Sequence, residues 1–365
     1  MTAGALPLQS WNRFAGAPRP IAAALLALLA VLMVLGVAGG GARIARAGPE
    51  AMHGEGGLVG DHALYARVLY RVEAGEPYYA AVAAEHRANH YPLKPFMAVR
   101  LPTLIYIVAT IGVPFAMALG LLVGVVAVST WRQRMRSEPG LPRYASLAAL
   151  FIAVNLSQLV ERAWVLMHEA VIGALIALAL ALYRPARPWA AMAVVAVAVA
   201  IRETALPVAM LFGLFALIDR DWRAAAGWLM LGLAFLAGLA AHISALAAVT
   251  LPTDLASPGW GGFGGWATYV AFVHETSILR FMPLWIAALL VPLALLGWAS
   301  WKSRLGLAGL GVQIVYALLL MLFARPDNFY WGMLVAPTLF IGLIFGPAAL
   351  RGLARSLLPK AHVAA

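Results

Sequence analysis

Ten apolar stretches follow one another along this chain, at 21–40, 101–128, 145–160, 164–183, 188–202, 203–218, 224–250, 281–299, 305–323 and 332–350. A helix that crosses a bilayer needs roughly 20 mostly apolar residues. A series of such segments predicts an all-α polytopic membrane protein, a single transmembrane domain over 1–365 with about ten crossings. Only 11% of residues are charged and 63% are hydrophobic. That is less than half the ~25% charged share of a soluble domain, and the opposite of a disordered composition. The absence of cysteine excludes a disulfide framework or a thiolate metal site. Arg13 and Arg19 precede the first stretch as in a signal peptide. Its unbroken run over 21–38 exceeds the ~7–15 residues of a signal core, so an uncleaved anchor is expected.

The net charge of +11 belongs to topology rather than to a nucleic-acid partner. Threaded from an inside N-terminus, the inner segments hold fifteen bases against three acids, Glu138, Asp219 and Asp221. The outer side holds eleven bases against twelve acids. Basic residues beside short loops stay cytoplasmic, so both termini are expected there. The alanine- and arginine-rich composition fits a bacterial inner membrane, with the outer side periplasmic.

The outer side collects the chemistry: Asp61, His62, Lys94, Arg100, Glu161, Arg162, His168, Glu169, Arg202, Glu203, His274, Glu275, Arg280, Arg325 and Asp327. Ionisable groups at membrane depth cost at least ~2.5–3.5 kcal/mol at a helix centre, and they tend to face a cavity and to be functional. The stretch 188–202 spans only about 22 Å at 1.5 Å per residue, which sets the Arg202–Glu203 turn below the outer surface. The bland alternative makes Arg202–Glu203 and Glu161–Arg162 neutralised caps of tight hairpins.

The first outer loop, 41–100, opens a helix at Gly60-Asp61-His-Ala-Leu-Tyr65. Leu64, Tyr65, Val68, Leu69 and Val72 share one face, so this helix is expected in the interface plane. Gly75 ends it, and Pro77 starts a second helix from Tyr78 to about Ala88. The three prolines of Tyr91–Pro102 forbid regular helix there. On spacing alone, Asp61 is an N-cap before it is a catalytic carboxylate. The second outer loop, 251–280, is rich in glycine and carries Trp260, Phe263, Trp266 and Tyr269. It reads equally as an aromatic belt or a substrate gate. Arg325-Pro-Asp-Asn reads as a turn.

Asp61 to Tyr65 with Gly75-Glu-Pro-Tyr78, Arg202-Glu203-Thr-Ala-Leu-Pro207, and Arg325 with Phe329-Tyr330 and Pro337 resemble the GT-C integral membrane glycosyltransferases. The resemblance covers most of the chain in architecture, and the first-loop run carries it best. It implies transfer of a sugar from a polyprenyl-phosphate donor at the non-cytoplasmic face, in glycan biosynthesis. It also promotes Asp61 from N-cap to general base, since a carboxylate must take the acceptor hydroxyl's proton. The growing charge on the lipid phosphate needs cationic donors, and arginine's planar fork suits phosphate. Arg202, Arg280, Arg325, Arg162 and Lys94 are the candidates, with Arg202 deepest. His62, Tyr65, Glu169, Glu203 and His274 complete the expected substrate-binding set. This chain lacks a paired Asp-Glu or Asp-x-Asp in the first loop and a large C-terminal soluble domain. No metal or cofactor is therefore expected, inversion through a single base is the simplest mechanism, and a lipid-linked or glycan acceptor fits better than a protein.

Two other classes compete. A secondary transporter would show repeats and mid-span polar sites; no repeat relates the two halves. Another lipid-modifying transferase would show His-Glu-x-x-His or Gly-x-Ser-x-Gly. His168-Glu169 and His274-Glu275 both lack the second histidine, and no such serine motif occurs.

Overall fold

The structure is a computed structural model that describes residues 11–47, 60–160, 165–259 and 262–358. Every regular element among them is helical: α1 (Arg19–Ala47), α2 (Asp61–Glu73), α3 (Tyr78–Ala88), α4 (Thr103–Ile111), α5 (Val113–Ser137), α6 (Ala148–Leu156), α7 (His168–Leu182), α8 (Trp189–Ile201), α9 (Leu206–Ile218), α10 (Trp222–Ala247), α11 (Gly265–Glu275), α12 (Leu284–Ser300), α13 (Arg304–Phe323), α14 (Ala336–Leu339) and α15 (Gly342–Leu357). Within the described residues, α1, α5, α10 and α13 are long and apolar enough to cross a membrane; six shorter apolar helices accompany them. Val34 on α1, Leu122 on α5 and Met230 on α10 are each more than half exposed. Such surfaces are stable only against lipid or a partner.

Helix α12 packs on α15 and α1, α7 on α8 and α5, and α10 on α9. Without a hydrophobic driving force between helices in lipid, small residues let backbones approach. The α12–α15 contact shows how close: a Cβ on Gly297 would overlap the Gly342 carbonyl.

Two of the expected stretches are broken and a third starts late, each for a local reason. The stretch 101–128 divides into α4 and α5 at Gly112, whose φ of +80° and ψ of 153° leave the helical region. Glycine alone takes this conformation without cost, and Pro114 behind it has no N–H to continue the α4 ladder. Over 332–350, a 3-10 helix Pro326–Leu334 gives way to the single turn of α14 and then to α15. Pro337 cannot donate to the Met333 carbonyl as an α-helix would require. That freed carbonyl lies against the bare Cα of Gly173 on α7. At 281–299, a 3-10 turn Ile278–Phe281 precedes α12, which starts after Pro283.

Within 251–280 the chain forms α11, and this helix is buried among α1, α12, α13 and the 3-10 helix Pro326–Leu334. Trp266 Nε1 donates to the Leu32 carbonyl of α1 at 2.7 Å, and Tyr269 is fully enclosed. Neither a belt nor a gate describes these two aromatics; they anchor a helix that dips into the bundle. Phe263 is exposed, and Trp260 lies outside the described residues.

Gly297→Val should therefore lower stability by about 2 kcal/mol or more through overpacking. Thermal unfolding of the purified protein checks this, and an unchanged midpoint would mean that α12 and α15 separate at no cost.

Candidate active site

Five helix ends and one loop converge around two arginines. Helix α2 begins at Asp61, but the cap position is Gly60, with φ +62° and no side chain to offer. The carboxylate is thereby free of the role that spacing alone assigned to it. It stands 3.9 Å from Arg100 Nη2, its side chain 27% exposed. The Tyr91 hydroxyl faces it as well: burial and the Asp61 charge push Tyr91 up to about 12. One face of α2, with Leu64, Tyr65, Val68 and Leu69, is buried against α3 and α4. That packing fixes where Asp61 points.

Arg100 enters from the irregular segment before α4. The Tyr78 hydroxyl of α3 donates to its carbonyl at 2.7 Å. Its guanidinium lies 5.9 Å from the centroid of the Tyr65 ring and donates to the Tyr330 hydroxyl at 3.1 Å. Tyr330 reaches the site because Gly332, next but one, sits where any Cβ would strike Thr276 and the Phe272 carbonyl of α11. Burial, with Asp61 nearby, pushes the Tyr330 hydroxyl up, so it stays a neutral hydrogen-bonding group.

Arg202 occupies the joint between α8 and the 3-10 turn Glu203–Ala205, in an extended conformation with φ −159°. The Tyr316 hydroxyl of α13 holds this joint through the Thr204 carbonyl at 2.7 Å. Arg202 is almost wholly buried and ion-paired with Glu169, which has no exposure at all. The same Glu169 Oε1 is 3.9 Å from Arg100. Trp331 covers Arg202, with the guanidinium carbon 5.9 Å from its ring centroid, and Glu203 is 3.4 Å from Arg202 Nε on the rim. His168, next to Glu169, packs edge-on against Tyr65 with centroids 5.4 Å apart.

The site thus joins Asp61, Tyr65, Glu169, Arg202 and Glu203 from the expected set, with His62 beside Asp61 on α2. It adds Arg100, Tyr330, Trp331 and His168. Two partly exposed carboxylates on the rim and two buried guanidiniums beneath can take a proton from a hydroxyl and hold an oxyanion. Charge and position support both roles.

The remaining expected residues serve other contacts. Arg280 is exposed, its guanidinium carbon 4.7 Å from the Phe281 ring centroid. His274 is tied to Glu275 Oε1 at 2.7 Å and to the Met282 carbonyl at 2.8 Å. Arg325 is paired with Asp327 at 2.7 Å and bonded to Ser257 Oγ and the Pro258 carbonyl, within electrostatic reach of Asp61. Arg162 lies outside the described residues. Lys94 Nζ donates to the Pro252 carbonyl at 2.8 Å, and the Ser257 amide donates to the Lys94 carbonyl at 2.6 Å. Arg87 adds a forked pair to Asp254 at 2.7 and 2.8 Å. Lys94 and Arg87 together strap the second loop to the first.

No family model, curated protein or solved structure matches this chain.

Arg202→Ala should cost about 3–5 kcal/mol, because it strands a buried carboxylate. The paired replacement Arg202→Met with Glu169→Leu should recover most of that loss. Unfolding midpoints of the three proteins decide it, and an Arg202→Ala protein as stable as wild type would mean that Glu169 needs no counter-charge.

The Arg87 guanidinium holds Asp254 down at about 2, against roughly 3.9 for a free aspartate. A depressed carboxylate stabilises above its unfolded value, and that contribution disappears as pH falls toward the folded one. Protection of residues 250–257 against hydrogen exchange, taken relative to the intrinsic rate at each pH, should fall between about pH 4 and pH 2. In Asp254→Asn the protection should be low throughout, and a wild-type protection factor unchanged over that range would contradict the strap.

Proposed function

We propose that this chain is an integral-membrane glycosyltransferase of the GT-C kind. It moves a sugar from a polyprenyl-phosphate donor to a hydroxyl of a lipid-linked or glycan acceptor, with Asp61 as general base. The observation that carries the reading is Asp61 itself: outside the cap position, partly exposed, and 3.9 Å from a buried arginine. Supporting it, the charged groups gather at helix ends that converge at one place, as a reaction centre at a membrane boundary requires. In this reading the ten apolar stretches are ten crossings, some broken, and α2 and α3 lie along the outer interface. The basic excess between alternate crossings keeps both termini cytoplasmic.

The chemistry runs in one step. The acceptor oxygen attacks the anomeric carbon while its proton passes to an Asp61 oxygen. The bond from that carbon to the phosphate oxygen breaks, and the electron pair leaves with the phosphate. Attack opposite the leaving group inverts the sugar carbon. Arg100 is the cation beside Asp61, and it receives the developing charge on phosphate. Tyr330 and Tyr65 hold its guanidinium in place beforehand. Arg202 acts one layer deeper, locked to Glu169.

Asp61→Asn should reduce transfer from a polyprenyl-phosphate sugar by roughly 10²–10⁴, the span of general-base contributions. Its unfolding midpoint should stay near wild type, because Gly60 and not Asp61 occupies the cap position. Near-normal turnover of the variant would remove Asp61 from the chemistry.

A further inference from the structure

Building on the glycosyltransferase reading, we propose that Glu169 sets the charge of the phosphate this site accepts. It selects a singly charged phosphodiester over a diphosphate. Around the two guanidiniums stand three carboxylates, Asp61, Glu169 and Glu203. With all five ionised, the cluster carries a net −1 before any ligand arrives. Arg202 is consumed by Glu169, with which it shares complete burial. Arg202 also faces Glu203 at 3.4 Å, whereas Arg100, its side chain nine-tenths buried, has no carboxylate nearer than 3.9 Å; Nε of each arginine lacks a hydrogen-bond partner. Asp61 and Glu169 both stand off at 3.9 Å, beyond direct hydrogen bonding. Arg100, the guanidinium with no close carboxylate, suits one oxyanion. A second phosphoryl group would bring further charge into a site already negative, with no cation left to meet it.

Glu169 is the carboxylate that decides this, because its neutralisation both removes a negative charge and releases Arg202. Asp61 and Glu203 lie on the rim, each about a quarter exposed, where solvent screens their charge. Glu169 touches no substrate in this account; it acts through Arg202 and Arg100 as a positioning residue.

The test measures binding of two short-chain probes to the full-length protein in nanodiscs. Farnesyl methyl phosphate carries one charge, and farnesyl diphosphate carries two to three. Wild type should bind the diester more tightly. Glu169→Gln should move the ratio of the two dissociation constants by roughly tenfold or more toward the diphosphate, since each 1.4 kcal/mol is tenfold and close charges exceed that. Glu169→Asp should keep the wild-type ratio. The double variant Glu169→Gln with Arg202→Gln removes one charge of each sign and should also return to it. Glu203→Gln leaves the Glu169–Arg202 pair in place, so it serves even where Glu169→Gln fails to fold, and should move the ratio the same way but less. An unmoved ratio in both Glu169→Gln and Glu203→Gln overturns the inference. So does a double variant that behaves like the single, since packing rather than charge would then be the cause. A wild type that binds the diester with an unmoved ratio in the variants sinks this inference alone. A wild type that binds neither probe sinks the glycosyltransferase reading with it.

Discussion

A carboxylate with no solvent contact demands a counter-charge, and at this end of the bundle Glu169 dictates the arrangement around it. Moving such a group out of water costs several kcal/mol even after relaxation, repaid only by a well-placed partner. The partner, Arg202, cannot come from a continuous helix, because the side chain must turn inward where α8 stops. The extended backbone at Arg202 is therefore a requirement of the ion pair, and the Tyr316 hydroxyl of α13 secures it. Arg100, 3.9 Å from the same carboxylate oxygen, links this deep pair to Asp61 on the rim. The site is thus ordered in layers: a neutral pair buried beneath, one half-satisfied arginine above it, and acids at the surface.

Much of this was legible in the chain. The boundaries of α2 and α3 follow from Gly60, Gly75 and Pro77, whose conformational preferences act locally and need no tertiary context. The break between α8 and α9 follows from two charged residues that no apolar helix would carry through its middle. The depth argument also singled out Arg202, which is almost wholly buried within the protein. It stopped one step short, because depth makes an arginine expensive before it makes it available. An arginine buried this far is spoken for by a neighbour, and Glu169, on a different helix, was invisible as that neighbour in one dimension.

Other features resisted reading for a physical reason. Gly112 and Pro114 are tolerated in apolar runs, and a hydropathy profile passes over them without a mark. Pro337 is equally silent, although it frees the Met333 carbonyl that lies against Gly173. Helix α11 was obscured by composition: its glycines and aromatics look like an interfacial loop, while the structure uses the same small and flat side chains for close approach to α1. Arg100 had a weaker signature than Arg202, a single cation after a proline-rich stretch. Its importance comes from three tyrosines, at 65, 78 and 330, contributed by separate segments.

Those tyrosines explain why the two long loops and the buried helices form one device. Tyr78 fixes the backbone of Arg100 from α3, and α3 is strapped through Arg87 to Asp254 in the second loop. Tyr330 fixes the guanidinium from the 3-10 helix Pro326–Leu334, which Gly332 presses onto α11. Arg100 is therefore held by one element bound to the loops and another bound to the core. A displacement of either would move the guanidinium relative to Asp61, while the Glu169–Arg202 pair beneath stayed where burial keeps it. Of the two layers, the one that carries the Arg100–Asp61 contact is suspended between loop and core.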